Sequence, residues 1–250
     1  MSKIAFITGA TSGIGYATAK IFAANGIDLI LCGRNKKQLE KVENEFSTSV
    51  KVTTLQFEVR DKVAVESSIN SLNAAWKQID ILVNCAGNAH GLSSIENGDI
   101  DDWDLMIDSN VKGLLYVSRC IMPIMVLRKQ GHIVNISSVA GKYTYQNGAV
   151  YCASKKAVEA ISEGMRLDLT QYGIKVTNIA PGAVETNFSV VRFKGDEERA
   201  KKVYEGFDPI QPKDVADAIL YAIQSPKNVT IADIVLYAAA QAAPTTIYRK

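Results

Sequence analysis

The chain is poor in histidine: His90 and His132 are the only two among 250 residues. That excludes a histidine-rich metal cluster and leaves few ways to build a histidine-dependent triad. The four cysteines, Cys32, Cys85, Cys120 and Cys152, form no C-x-x-C pair, so neither a zinc site nor a redox motif is indicated. Scattered cysteines fit free thiols in a reducing cytoplasm. An excess of one charge is also missing: 28 lysines and arginines face 26 aspartates and glutamates. Such a balance supplies no broad field for nucleic acid or an anionic membrane, and neither is expected as a partner. The longest apolar run near mid-chain, Cys120–Leu127, is far short of the ~20 residues a spanning helix needs. The opening stretch Ile4-Ala5-Phe6-Ile7 is too short for a signal-peptide core and ends in a glycine-rich turn.

What is present is an alternation. Short β-branched or apolar runs occur at Lys3–Thr8, Asp28–Cys32, Lys51–Phe57, Asp80–Asn84, His132–Ser137, Lys175–Ala180 and Ile231–Leu236. Longer stretches with helical spacing lie between them, such as Ile14, Ala17, Ile21, Phe22 and Val158, Ile161, Met165, Leu169. Strand–helix alternation predicts an α/β fold: a parallel sheet with helices on both faces and right-handed crossovers. No linker or repeat divides residues 1–250, so one domain is expected. Residues 187–212 break the rhythm. A long insertion after a late strand is where α/β enzymes place substrate loops. Within it, the charged run 197–202 reads as a solvated helix face. Residues 238–250 show no amphipathic period and are expected to be a tail, or an arm on a neighbouring subunit.

Gly9-Ala10-Thr11-Ser12-Gly13-Ile14-Gly15 follows the first strand and opens the first helix. Glycines let the backbone turn tightly and approach a pyrophosphate, and the helix N-terminus offers free N–H groups and a positive dipole. Taken alone the pattern is weak, because many strand-to-helix turns need glycine. Its place between a predicted strand and a predicted helix strengthens it. The spacing is G-x-x-x-G-x-G.

That spacing resembles the cofactor signature of the short-chain dehydrogenase/reductase family. The resemblance continues through Asn84-Cys85-Ala86-Gly87, Asn110-Val111, Ile136-Ser137-Ser138, Tyr151-Cys152-Ala153-Ser154-Lys155 and Pro181-Gly182-x-x-x-Thr186, in order along most of the chain. It implies a single-domain, doubly wound Rossmann fold with a mainly seven-stranded parallel sheet. It also implies cofactor contacts from Gly9, Thr11, Ser12, Gly13, Ile14, Gly15, Asn84, Ala86, Gly87, Tyr151, Lys155, Pro181, Gly182, Val184 and Thr186. Two departures touch the adenine end. The usual Asp-Val reads Glu58-Val59, and the second Asn of Asn-Asn-Ala-Gly is Cys85. Glu58 can still accept an adenine amino hydrogen bond through its longer arm, and Cys85 reads as a buried small residue.

After the second strand, Cys32-Gly33-Arg34-Asn35-Lys36-Lys37 faces the adenosine ribose. An acid here would grip two ribose hydroxyls, whereas an arginine suits a 2′-phosphate. The acid is absent and Arg34 is present, which predicts NADP(H). The competing reading is a surface arginine at a basic helix start.

Tyr151 and Lys155 are four apart and on a helix share one face. A tyrosine of pKa about 10 needs electrostatic help to act as a base at neutral pH. An ammonium and a nicotinamide cation within several ångströms supply it. Tyr-x-x-x-Lys alone arises by chance on many surface helices. Ser138, on the turn after the fifth strand and thirteen residues before Tyr151, is placed to hold the substrate oxygen, with Ser137 as its competitor. By the resemblance, Asn110 supports a water that links Lys155 to solvent. The catalytic set is therefore Asn110, Ser138, Tyr151 and Lys155. His90 and His132 read as structural, although His90 sits where it could line a pocket.

Phe188 to Asp196 contains V-R-F-x-G-D, which resembles a subgroup of NADP-dependent 3-hydroxy acid (serine, L-allo-threonine) dehydrogenases and sulfoacetaldehyde reductases. A small acid needs an anion partner, and Arg192 is the candidate, beside Ser138 and Tyr151 as substrate contacts. An arginine that caps the loop or pairs with Asp196 is the plainer alternative. A broad carbonyl reductase would instead use Phe188, Val190 and Tyr145 as an apolar pocket with Arg192 turned away. A non-catalytic NADP-binding regulator is the alternative of another class, although such proteins lack the tyrosine or lysine retained here. The resemblance implies a homotetramer through the long helices expected at Trp103–Lys129 and Ala149–Tyr172, where Leu114, Val117, Ile121 and Ile161 are apolar on more than one face.

Overall fold

The computed structural model describes residues 2–250. The strand order is β3-β2-β1-β4-β5-β6-β7, all parallel: β1 Ile4–Thr8, β2 Asp28–Gly33, β3 Val52–Gln56, β4 Ile81–Asn84, β5 Gly131–Ile136, β6 Ile174–Pro181 and β7 Asp233–Leu236. The inner strands are buried on both sides, which is why they read as near-continuous apolar runs. Alternate residues enter opposite layers. Ala5, Ile7, Leu29, Leu31, Ile81 and Val83 pack on one face, against Phe22 of α1 (Gly13–Ala24), Leu39 of α2 (Lys36–Phe46) and Ile219 of α10 (Pro212–Ile223). Phe6, Ile30, Leu82, Ile133 and Val176 pack on the other. Their partners there are Ile69 of α3 (Lys62–Asn70), Ile121 of α5 (Leu114–Arg128) and Val158 of α7 (Ala149–Leu169). Chain order reverses between β1 and β4, and the crevice outside those strands' carboxyl ends is where doubly wound sheets bind ligands.

The fourth helix, α4 (Ile100–Ile107), runs into α5 through a π-helical turn at Asp108–Gly113. The combined helix Ile100–Arg128 has the length and hydropathy of a membrane span, which the run Cys120–Leu127 alone did not suggest. Here Val117, Ile121 and Met125 are fully buried against the sheet, so its apolar character is that of a core helix. Leu114 is buried with them on the sheet, whereas Ile161 of α7 is only partly buried.

A short α6 (Val139–Lys142) follows β5. The 187–212 insertion folds into α8 (Phe188–Arg192), α9 (Glu197–Lys202) and the turns that lead to α10. The tail is ordered on its own chain: β8 (Gln241–Ala243) and β9 (Thr246–Ile247) form a small antiparallel ribbon. Gln241 Oε1 accepts from Ala183 N at 2.9 Å, and Lys250 N donates to Gly206 O at 2.8 Å. The tail thus buttresses the insertion of the same chain.

Candidate functional site

The glycine turn behaves as a cradle. Gly9 and Gly13 hold φ of +66° and +52°, in the left-handed region that favours glycine. A Cβ on Gly15 would lie 2.2 Å from the Gly9 carbonyl oxygen, so no larger residue fits there. Ser12 starts α1 without capping it through its side chain, and no acidic residue stands in the first turn. The N–H groups at this helix end are therefore open to an anion, and the cradle fits the pyrophosphate of a dinucleotide. A Cβ on Gly13 would meet Thr186 Cγ2 at 3.3 Å, so Thr186 stands across the groove from the cradle. Thr11 closes on Gly33 at the end of β2 in the same way. Val184 pairs with Ile210, and Pro181 O accepts from Ser138 Oγ, which holds the Pro181–Thr186 strip along the groove.

The Asn84 amide nitrogen is tied into the core: it donates to Ser118 Oγ and Asn135 Oδ1, both at 2.9 Å, between the sheet and the α5–α7 layer. Its buried Oδ1 has no hydrogen-bond partner among the described residues. Ala86 lies against Gly9, and Thr8 Oγ1 accepts from the N–H groups of Cys85 and Ala86, which fixes β1 to the Ala86–Gly87 turn. Cys85 is half-buried as a packing residue, and desolvation pushes its thiol up to about 12.

At the adenosine end Arg34 extends from the β2 terminus, its side chain 72% exposed. Its Nη1 lies 3.2 Å from Glu58 Oε2, and Nη2 of Arg60 lies 3.2 Å from the same oxygen. Burial opposes ionisation of Glu58, but the hydrogen bonds and charges of Arg60 and Arg34 outweigh it and hold the carboxyl below its usual range. The longer acid that replaces Asp therefore ties two guanidiniums together, and Arg60 is a site residue that the sequence reading missed. Val59 is buried beside the π turn, where a Cβ on Gly113 would meet its Cγ2 at 2.9 Å.

The four residues expected to be catalytic lie together. Tyr151 and Lys155 share a face of α7, with Lys155 Nζ 6.0 Å from the ring centre and donating to Ile136 O at 3.0 Å. Burial lowers Lys155 to about 8 and pushes the Tyr151 phenol up, reinforced by the neighbouring Tyr145. The neighbouring Ser138 hydroxyl and Arg192 guanidinium act in the opposite direction. Ser138 caps α6 by accepting from Ala140 N at 3.1 Å, whereas Ser137 donates to the Lys155 carbonyl, away from the phenol. Geometry thus separates the two serines as spacing suggested.

Asn110 lies in the π turn, a distortion that recurs at functional sites. Its amide clamps Asn88, accepting from its N–H and donating to its carbonyl, both at 2.8 Å, and donates to Ser154 Oγ at 3.0 Å. A Cβ on Gly87 would stand 2.6 Å from Asn110 Oδ1 and 3.5 Å from Lys155 Nζ, so the turn glycine lets these two groups approach. The Asn110 side chain is occupied by the loop it holds.

The insertion covers this centre. Phe188 and Arg192, one turn apart on α8, both lie over Tyr151, at 5.6 Å ring to ring and 5.7 Å guanidinium to ring. Arg192 also stacks on Tyr145 at 5.6 Å and donates from Nε to Gly91 O. Its buried Nη2 has no hydrogen-bond partner among the described residues. Arg192 and Tyr151 line a narrow cavity with His90, Asp102, Trp103 and Met106. His90 is therefore a cavity residue, and Tyr145 is a stacking wall behind Arg192.

Three comparisons bear on this site. The short chain dehydrogenase family model matches residues 3–197. The NADP-dependent 3-hydroxy acid dehydrogenase YdfG of Salmonella typhi is 42% identical over 229 residues, 91% of this chain and 92% of that one. Sulfoacetaldehyde reductase 2 of Chromohalobacter salexigens is 41% identical over 232 residues, 92% of each chain. A solved closed form of serine dehydrogenase complexed with NADP+ superposes with a TM-score of 0.90 at 38% identity, covering 99% of this chain and 100% of that one. With the family model spanning most of the chain, and with relatives above 40% identity along nearly all of it, this protein belongs to the short-chain dehydrogenase family.

Proposed function

We propose that this protein is an NADP(H)-dependent oxidoreductase that interconverts the hydroxyl and carbonyl of a small 3-hydroxy acid, such as serine, 3-hydroxypropionate or L-allo-threonine. The observation that carries the substrate class is Arg192. A buried, unpartnered Nη2 beside Tyr151 is costly unless a ligand acceptor completes it. A guanidinium fork held by two aromatic faces and one carbonyl matches a carboxylate. The similarity to YdfG and to serine dehydrogenase supports the same reading.

The nicotinamide supplies the hydride acceptor or donor. This chain orients the substrate and handles the proton. Arg192 pairs with the carboxylate, and the Ser138 hydroxyl hydrogen-bonds the reacting oxygen. Tyr151 takes the hydroxyl proton in oxidation and returns it to the carbonyl oxygen in reduction. Its raised pKa keeps it protonated in the free protein, ready as an acid. In the oxidative direction the positive charge of Lys155 favours the phenolate. At the adenosine end Arg34 is the candidate contact for the 2′-phosphate.

The test is a substrate panel with NADP and NAD: L-serine, 3-hydroxypropionate, L-allo-threonine and sulfoacetaldehyde. Hydroxy acids with NADP are expected to lead. In Arg192→Ala, KM for the acids should rise about 10–100-fold, the scale of a charged hydrogen bond. An unchanged KM would overturn the anion role. Sulfoacetaldehyde reduction is the second reading, favoured by the similarity to Sulfoacetaldehyde reductase 2 and by the fit of the same guanidinium to a sulfonate. Absence of NADPH oxidation with every substrate would favour a non-catalytic regulator. We assign the assembly as a homotetramer in the cytoplasm. Exposed apolar side chains on its long helices and four free cysteines support this.

A further inference from the structure

The Arg34–Glu58–Arg60 cluster contains more than one arginine facing the cofactor end. Nη1 of Arg34 and Nη2 of Arg60 each lie 3.2 Å from a single carboxylate oxygen, Glu58 Oε2. The two nitrogens are therefore separated by no more than the sum of those distances, a gap that one phosphate group can bridge with hydrogen bonds of about 2.8 Å on each side. The cluster is anchored at both ends. Gln56 Nε2 donates to Arg34 O at 3.0 Å, and Arg60 N donates to Glu58 Oε1 at 3.4 Å. Arg60 is the less exposed of the two, 33% against 72%, so it is the better fixed and the less screened by solvent. Two cations on one anion leave a net positive charge beside the groove.

We infer that Arg60 is a second specificity-determining contact for the 2′-phosphate, forming with Arg34 a two-guanidinium clamp for which Glu58 is the spacer. This rests on the NADP(H) reading above. With no phosphate bound, Glu58 holds both guanidiniums at the groove. A phosphomonoester of charge near −2 offers three acceptor oxygens and can engage both at once, whereas a ribose 2′-hydroxyl cannot. The clamp also accounts for the departure at this position. A glutamate reaches both arginines from the strand end, at the cost of the free carboxylate that an aspartate would present to adenine.

The test measures kcat/KM with NADP and with NAD for wild type, Arg34→Gln, Arg60→Gln and Arg60→Lys. Inhibition by adenosine 2′-monophosphate and 5′-monophosphate is measured alongside, and thermal melting checks that each variant is folded. In Arg60→Gln the NADP-to-NAD ratio should fall about tenfold or more. Inhibition by the 2′-monophosphate should weaken, with the ratio of the two inhibitors shifting toward the 5′ isomer. Arg60→Lys should recover part of the loss, because it keeps the charge without the fork. If Arg60→Gln keeps the wild-type ratio while Arg34→Gln lowers it, the clamp is wrong and the NADP(H) reading stands. If Arg60→Gln lowers efficiency equally with both cofactors, Arg60 is only structural and the clamp is likewise overturned. If wild type shows no preference for NADP, the NADP(H) reading itself fails and the clamp fails with it.

Discussion

Tyr151 and Lys155 lie in a site that burial makes unfavourable for charge, and that tension can be measured. Tyr151→Phe removes the proton carrier and keeps the ring that packs on Phe188. Turnover should fall about 10²–10⁴-fold while NADPH binding, followed by fluorescence, is retained. Ordinary turnover in the variant would overturn the assignment. Lys155 yields a prediction about stability. Its pKa is lowered from 10.5 to about 8 in the folded protein. Between those values the unfolded chain holds a proton that the folded chain has released, so this residue's contribution to stability rises with pH across the window. Below about pH 8 the charged, buried ammonium is a constant cost of roughly 3 kcal/mol. Lys155→Met should therefore melt higher than wild type at pH 7, and the difference should shrink between pH 8 and 10.5. A difference independent of pH would refute the account. Residues were unevenly legible in the sequence. Ser138, Tyr151 and Lys155 stood out through spacing along the chain. Arg60 did not, and Tyr145 stood out only as a pocket wall and not as the stacking partner of Arg192, because the two lie 47 residues apart and only the fold brings them together.

At the scale of elements, the insertion acts as a lid tied down by charge. Lys194, in the turn two residues after α8, has φ of +54°, a left-handed conformation uncommon for lysine. It directs Nζ to within 3.1 Å of Asp99 and 3.0 Å of Asp102 at the start of α4. Gly91 N donates to Arg192 O beside it. The cavity beneath the lid is narrow, about 20 Å³, and open to solvent. Small shifts of α8 therefore decide where Arg192 meets a substrate in it. Exposed ion pairs contribute about 0–1 kcal/mol, enough to shift a lid equilibrium severalfold. Lys194→Met should raise KM for the hydroxy acid about 3–10-fold, and it should weaken the rise of KM with ionic strength expected of wild type. A salt response equal to wild type would exclude the latch. The strands were legible because two-sided burial demands unbroken apolar runs. The π turn at Asp108–Gly113 was not, because nothing in residue type marks a shift of hydrogen-bond register inside a continuous helix. The order of residues 238–250 was not legible for a related reason: it comes from Gln241 and the backbone of Ala183 and Gly206, with no periodic pattern of its own.

For the whole molecule, the question is which surfaces one chain leaves uncovered. Sequence periodicity nominated the inward rows of α5, which the sheet already covers. The exposed large apolar side chains of the long helices are others: Leu115 and Leu127 on α5 and Leu167 on α7, the last two 86% and 76% exposed. Strand β7 ends the sheet with Val235 exposed and one edge unpaired, a surface that proteins commonly cover. A charge near neutrality does little to keep such surfaces apart. Closed symmetry that covers both the helical face and the sheet edge needs two kinds of twofold contact, which is the arrangement of a tetramer with three perpendicular twofold axes. Light scattering of the wild-type protein should therefore give four times the 27.2 kDa of one chain. Leu167→Glu places a charge on the α7 face without touching the buried row formed by Val158, Met165 and Leu169. It should lower the mass to that of a smaller species while the circular dichroism stays unchanged. A wild-type monomer at micromolar concentration, or a Leu167→Glu tetramer of undiminished stability, would remove the helical face from the assembly.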